Sequence, residues 1–192
     1  MNPELQNQLI EHYNQFLQTE RGQKAIQVSK LLQYEWNSSY KTSDVVASTN
    51  NVNINKINKR LQSKIKKIDI IPIGLNNQCH LNSIVFNELP NVKKVLGFNV
   101  TACPCGRRMS YELHSVNKIG EILYDFTTDF NEEKSKYFLE LGNINIYKYI
   151  QKYGREAIQV DKCCNCRIDW SITETQDEYY LEQHILDIQN NT

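Results

Sequence analysis

Residues Asn76–Pro90 read NNQCHLNSIVFNELP, and this stretch decides the expected fold. A polar loop leads to Cys79, and Pro90 ends the segment because proline lacks the backbone donor that a helix needs. Between them, four apolar residues recur at the spacing of a helix with one buried face: Leu81, Ile84, Val85 and Leu89. Cys79 therefore stands at the first turn of a helix. Three interpretations are open: a metal ligand together with His80, a buried apolar thiol, or a nucleophile.

The segments around this helix predict an α+β protein. Helical periodicity covers most of the N-terminal third, including Asn53–Lys67, and resumes at Asn131–Gly142. Runs rich in β-branched and aromatic residues predict strands at Ile68–Gly74, Lys94–Val100, Met109–Val116 and Glu121–Thr127. The segment Asn117–Gly120 is typical of a hairpin turn between the last two. Because the last three of these strands follow one another along the chain after the Cys79 helix, we expect them to pair antiparallel.

Composition is that of an ordinary soluble domain. The 192 residues are 40% hydrophobic and 23% charged, with a formal net charge of zero. This balance argues against a dominant electrostatic attraction to nucleic acid or to a membrane surface. The N-terminal residues contain no apolar signal region, and no long apolar run occurs, so we expect the protein to be cytoplasmic.

A basic face is the exception to this balance. The predicted helix Asn53–Lys67 carries basic residues without an acid among them: Lys56, Lys59, Arg60, Lys64, Lys66 and Lys67. A solvated helix face explains such a pattern, and an anionic partner is the alternative.

Cys79, His114 and Asp125 occur in an order that suits thiol chemistry. A cysteine in the first turn of a helix lies at the positive end of the helix dipole, which favours the thiolate. Such a nucleophile needs a base, and the base needs an orienting group. His114 lies in one predicted strand and Asp125 in the next, so a hairpin would place them side by side. Each residue has a structural alternative as well: a packed cysteine, a packed histidine and a turn-capping aspartate.

The motifs QCHLN, VLGFNV, ELHSV and ILYDFT resemble, in this order, the papain-like and transglutaminase-like cysteine hydrolases, in particular small phage- and plasmid-encoded members. The resemblance covers roughly Ile70 to Phe130. It implies a core in which a nucleophile helix packs on an antiparallel sheet. Two departures are Val116, where an aromatic residue is often found, and the cysteine-bearing insertion 101–108.

The resemblance also implies residue roles. Cys79 would be the nucleophile, His114 the base and Asp125 the orienting acid of a protease, amidase or deamidase that forms a thioester and acts on a protein or peptide substrate. The backbone amide of Cys79 is the best oxyanion donor, and Gln78 or, as second choice, Asn76 would supply a side-chain donor.

The remaining cysteines predict a structural zinc site. Cys103 and Cys105 form one pair, and Cys163 and Cys166 form a C-x-x-C pair, which together give the four thiolates of a tetrahedral shell. Cys164 is either a spare thiol or the ligand in place of Cys163. Free thiols and a disulfide are the alternatives. A closed four-cysteine shell leaves no open position, so such a zinc would not be catalytic.

These expectations divide the chain into three segments. Residues 1–67 are expected to form a helical appendage, 68–150 the hydrolase-like core, and 151–192 a zinc-knuckle segment with a helix. The competing function is a zinc-stabilised binding module whose basic face engages nucleic acid or an acidic protein. A zinc deaminase is disfavoured because its P-C-x-x-C motif is absent around Cys105.

Overall fold

The structure is a computed structural model, and it describes residues 1–39, 52–53, 55, 62–76, 78–102, 109–127, 134–142, 157–160 and 175–176. Within these ranges the helices are α1 (Pro3–Leu17), α2 (Glu20–Ser39) and α3 (Cys79–Phe86). The strands are β1 (Ile65–Gly74), β2 (Val92–Ala102), β3 (Met109–Ile119), β4 (Ile122–Thr127), β5 (Ser135–Gly142), β6 (Ala157–Val160) and β7 (Thr175–Gln176).

The strands form a closed mixed barrel. The sheet has the order β2-β5-β1-β4-β3-β6-β7, and β2 also pairs with β3, which closes a ring of five strands. β1 pairs with β4 in parallel, whereas β3 and β4 pair antiparallel. The expected papain-like or transglutaminase-like core, a helix packed on an antiparallel sheet, is therefore wrong. The expectation failed because β1 pairs with a strand that is distant in sequence, which hairpin logic does not anticipate.

Two predicted helices differ from the structure. The helix expected at Asn131–Gly142 is wrong, because this segment contains β5. The helix expected at Asn53–Lys67 is wrong at its end, because Gln62 is helical but β1 begins at Ile65. Apolar residues cluster in Ser135–Gly142, and such short runs fit a helix or a strand almost equally well. The neighbours β1 and β2 decide in favour of a strand.

The predicted hairpin between β3 and β4 is confirmed, but its turn lies further along the chain than the expected Asn117–Gly120. Ile119 pairs with Ile122, so the turn residues are Gly120 and Glu121. Gly120 has a φ of +58°, a conformation that costs glycine little. Asn117, expected in the turn, lies in β3 and is buried.

Contacts divide the chain into two compact units. The first comprises residues 1–42, 69–94 and 115–134, and the second comprises 43–68, 95–114 and 135–192. The division expected from the sequence at residues 67 and 150 stays a prediction. Cys79 and Asp125 belong to the first unit, and His114 belongs to the second.

The core of the first unit joins the N-terminal helix to α3 and β4. Its fully packed residues are Leu9, Tyr13, Val85, Phe86, Val92, Tyr124 and Phe126. The ring of Tyr13 stacks on Phe86 with centroids 4.9 Å apart, and Phe86 meets Phe126 at 4.7 Å. The start of α1 is fixed by Asn2, whose side chain accepts a 2.9 Å hydrogen bond from the amide of Glu4. This core positions the helix that begins at Cys79.

The second unit has its own apolar core on β2, β3 and β5. Phe98, Val100, Tyr111, Phe138 and Leu139 are fully buried there. β2 and β5 pair antiparallel over Leu96–Val100.

Candidate active site around Cys79

Cys79 is the first residue of α3, as the sequence predicts. It is half-buried and is not part of a disulfide. The residue before it, Gln78, is the N-cap but makes no side-chain cap hydrogen bond, and the first turn holds no acidic residue. The positive end of the helix dipole is therefore not offset by a capping side chain or an acid, which favours an anion at this position.

The loop before Cys79 holds the two candidate oxyanion residues. Asn76 is fixed through its backbone, because Ser29 Oγ in α2 donates a 3.0 Å hydrogen bond to the Asn76 carbonyl. Its side-chain oxygen Oδ1 is buried and has no hydrogen-bond partner among the residues that the structure describes. Gln78 accepts a 2.7 Å bond from the amide of Asn82, the bond that opens the helix. A buried amide oxygen without a partner costs free energy, and a bound donor would remove that cost.

Asn82 lies one turn after Cys79 and is buried, with 1% of its surface exposed. It hydrogen-bonds both backbone groups of Leu75 in the same loop, at 3.2 Å to the amide and 2.8 Å to the carbonyl. The apolar periodicity of the sequence does not indicate Asn82, because it places Leu81, Ile84, Val85 and Leu89 on the buried face. The buried residues of α3 are instead Asn82, Ser83, Val85 and Phe86.

A second contact fixes the helix start to β3. His80 Nδ1 lies 2.5 Å from Ser115 Oγ, and Ser115 is 1% exposed. Further along, Asn117 Nδ2 donates a 3.0 Å bond to the Ser83 carbonyl. Ser115 and Asn117 were not predicted from the sequence either. The available signal was their spacing of two residues in the strand that carries His114, which places both on one face.

Asp125 lies in β4 and is fully buried. Its Oδ1 accepts a 2.9 Å hydrogen bond from the amide of Thr127, and Ile70 of β1 is its neighbour in the sheet. His114 lies in β3 one residue before Ser115 and is 8% exposed. The first unit thus contains Cys79, Gln78, Asn76 and Asp125 together, whereas His114 belongs to the second. The Cys79–His114–Asp125 triad stays a prediction.

The predicted zinc ligands, Cys103, Cys105, Cys163 and Cys166, lie outside the described residues, as does Cys164. Within the described ranges, His, Cys, Asp and Glu form no group of three or more that could hold a metal ion.

The basic residues near β1 have intramolecular partners where they are described. Lys66 Nζ lies 2.7 Å from Glu140 Oε2, and Lys67 Nζ lies 6.0 Å from the centre of the Tyr137 ring. Lys64 also interacts within the chain. Lys56, Lys59 and Arg60 lie outside the described residues.

Comparisons of the chain with protein-family models, curated proteins and solved structures return no match. In the part of the chain that the structure describes, no helix has the length and apolar character needed to cross a membrane.

Proposed function

We propose that the chain is a thiol-dependent hydrolase that acts on an amide or related acyl bond, with Cys79 as the nucleophile. The observation that carries the proposal is the position of Cys79 at the start of α3, half-buried, with neither a capping side chain nor an acid in the first turn. An anionic sulfur is favoured there, and so is the oxyanion that forms when the sulfur attacks a carbonyl.

The proposed reaction has two stages. The thiolate sulfur bonds to the carbonyl carbon, and the carbonyl π electrons move to the oxygen to give a tetrahedral oxyanion. Collapse of this intermediate breaks the carbon–nitrogen bond and leaves a thioester. The amine departs with the proton that His114 took from the thiol. Water then adds to the thioester and releases the carboxylate and the thiol. We assign His114 the proton transfers and Asp125 the orientation of His114.

Asn76 is our choice for the side chain that binds the reacting carbonyl region. Its Oδ1 is buried and meets no partner in the described part of the chain, and Ser29 anchors its backbone. A half-turn of the carboxamide exchanges the oxygen for the Nδ2 donor, so this one side chain supplies either a donor to an oxyanion or an acceptor to a substrate amide. Gln78 is the alternative, since its side chain is not used for capping.

The substrate class follows from the reaction. A peptide or protein amide suits a half-buried sulfur beside a loop whose backbone is fixed, and we place the activity in the cytoplasm. Binding of nucleic acid or of an acidic protein through the basic face has less support, because Lys66 and Lys67 already contact Glu140 and Tyr137.

Acylation by p-nitrophenyl acetate tests the proposal without knowledge of the natural substrate. We expect one acetyl group per chain, located on the peptide that contains Cys79 and removed by neutral hydroxylamine, as a thioester is. Cys79→Ala should abolish the label, and Cys164→Ser, a matched change at another cysteine, should retain it. Acetylation spread evenly over the six cysteines, or none at Cys79, would refute the proposed nucleophile.

A further inference from the structure

Every donor and acceptor of the Asn82 carboxamide makes a hydrogen bond. Its Oδ1 accepts from the Leu75 amide and from the hydroxyl of Tyr13, and its Nδ2 donates to the Leu75 carbonyl and to Thr127 Oγ1. An asparagine side chain has two acceptor sites and two donors, so none is left over. A polar group buried to this degree is stable only because every bond is made.

These bonds join four separate parts of the first unit. Tyr13 comes from α1, Leu75 from the loop before Cys79, Asn82 from α3 and Thr127 from the end of β4. The approach is close: a Cβ added at Gly74 would lie 2.5 Å from Asn82 Cγ. Glycine at this position therefore allows the carboxamide to lie against the backbone of β1.

Thr127 carries the connection to Asp125. Its Oγ1 accepts the 3.2 Å bond from Asn82 Nδ2, and its backbone amide donates the 2.9 Å bond to Asp125 Oδ1. Asn82, Thr127 and Asp125 are 1%, 6% and 0% exposed, so water does not compete for these bonds. One continuous series of hydrogen bonds thus runs from the loop before the nucleophile to the buried carboxylate.

We propose that Asn82 is a positioning residue for the reaction assigned to Cys79, and this inference rests on that proposed function. Its carboxamide fixes Leu75, in the loop before Cys79, and the β4 end that carries Asp125 in one arrangement. Asn82 acts through these neighbours and does not touch the substrate. Attack on a carbonyl is sensitive to small displacements of the sulfur and the oxyanion donors, so loosening this link slows acylation more than it slows simpler reactions of the thiol.

Thr127 offers the cleanest test, because Thr127→Val removes the hydroxyl and keeps the shape of the side chain and the backbone bond to Asp125. Thr127→Ser is the matched control that retains the hydroxyl. Two rates are measured at Cys79 in each folded variant: acetylation by p-nitrophenyl acetate, which needs positioned donors, and alkylation by iodoacetamide, which needs only an accessible thiolate.

We expect Thr127→Val to slow acetylation about ten-fold while alkylation changes less than about two-fold, and Thr127→Ser to stay near wild type in both. A purely structural role lowers the melting temperature of Thr127→Val and leaves both rates of the folded protein unchanged, and that result overturns the inference. The wild-type arm separates the two proposals: absence of acetylation at Cys79 in the wild type refutes the nucleophile itself, and the positioning role then fails with it.

Discussion

The hydroxyl of Tyr13 in α1 donates a buried hydrogen bond to Oδ1 of Asn82 in α3, across 69 positions of sequence. The single Leu75 amide hydrogen is shared between two acceptors, this hydroxyl at 3.1 Å and Asn82 Oδ1 at 3.2 Å. Tyr13 and Asn82 are each 1% exposed. The N-terminal helix is thereby part of the packing that holds the helix and the loop on either side of Cys79.

Burial of Tyr13 predicts a loss of stability at high pH. Desolvation raises the pKa of its hydroxyl from 10.0 to about 12, and the Leu75 amide offsets a part of this rise. The unfolded chain therefore loses the Tyr13 proton at a lower pH than the folded chain does. The stabilisation that the buried, protonated hydroxyl gives the folded state is complete below about pH 10 and is lost as the pH rises towards 12. Urea unfolding should show a decline of up to about 2 kcal/mol over this interval, and Tyr13→Phe should lack that part of the decline.

The pH dependence is measured as the difference between wild type and Tyr13→Phe at each pH. A pH-independent loss of stability in Tyr13→Phe therefore does not affect this test. An identical pH dependence in wild type and Tyr13→Phe would contradict the assignment to Tyr13.

Gly74 and Asn82 should behave as an interacting pair. Gly74→Ala places a methyl group 2.5 Å from Asn82 Cγ, and we expect a loss of about 1–3 kcal/mol in the free energy of unfolding. In an Asn82→Ala background the obstacle is gone, so the same change should cost less, with a coupling energy of about 1–3 kcal/mol in a double-mutant cycle.

Gly120→Ala serves as the control for that cycle. A Cβ at Gly120 meets no atom within 4 Å, and its cost comes only from the positive φ. Its effect should add to that of Asn82→Ala within about 0.5 kcal/mol. Additivity of Gly74→Ala with Asn82→Ala would show that the two residues do not interact.

Sequence patterns predicted α3 and the β3–β4 hairpin, because residues close in sequence determine both elements. The polar loop before Cys79 and the proline at position 90 place α3 close to its observed bounds, and turn chemistry places the β3–β4 hairpin within a few residues. Both are set by neighbours in sequence, through helix ends and a tight turn.

The closed barrel and the buried polar network depend on contacts that are distant in sequence. Ser135–Gly142 becomes a strand because it pairs with β1 and β2, and its own periodicity does not show this. Asn82 can be buried because Tyr13, Leu75 and Thr127 make hydrogen bonds with its carboxamide. A hydrophobic pattern treats an asparagine as an exposed position. The position of Cys79 at a helix start was thus predictable from the sequence, and the buried polar residues that hold the preceding loop were not.

Zinc content is a prediction that rests on the cysteine spacing alone. Freshly reduced protein should contain about one zinc per chain, bound by Cys103, Cys105, Cys163 and Cys166, with Cys164 as the alternative to Cys163. Strong chelation should remove the metal and destabilise the fold. Cys105→Ser should lower the zinc content, and Cys79→Ser should not. Metal-free reduced protein that is fully folded would argue for free thiols or a disulfide instead.

The reactivity of Cys79 tests the assigned triad. Iodoacetamide should alkylate Cys79 faster than the cysteines of the predicted zinc site, since metal ligation protects a thiolate from alkylation. His114→Ala should slow alkylation of Cys79 because it removes the cation that favours the thiolate, and Asp125→Asn should slow it less, because the nucleophile and the base remain.

Two controls separate reactivity from folding in this experiment. Cys79→Ser is a small change at a half-buried helix start, so its free energy of unfolding should stay within about 0.5 kcal/mol of wild type. Ser110→Ala changes another buried residue of β3, the strand that carries His114, and should leave the alkylation rate of Cys79 as in wild type. If His114→Ala and Ser110→Ala alkylate at the same rate as wild type, His114 does not activate Cys79. The base must then be sought among the other polar residues around α3, of which His80, bonded to Ser115, lies nearest in sequence.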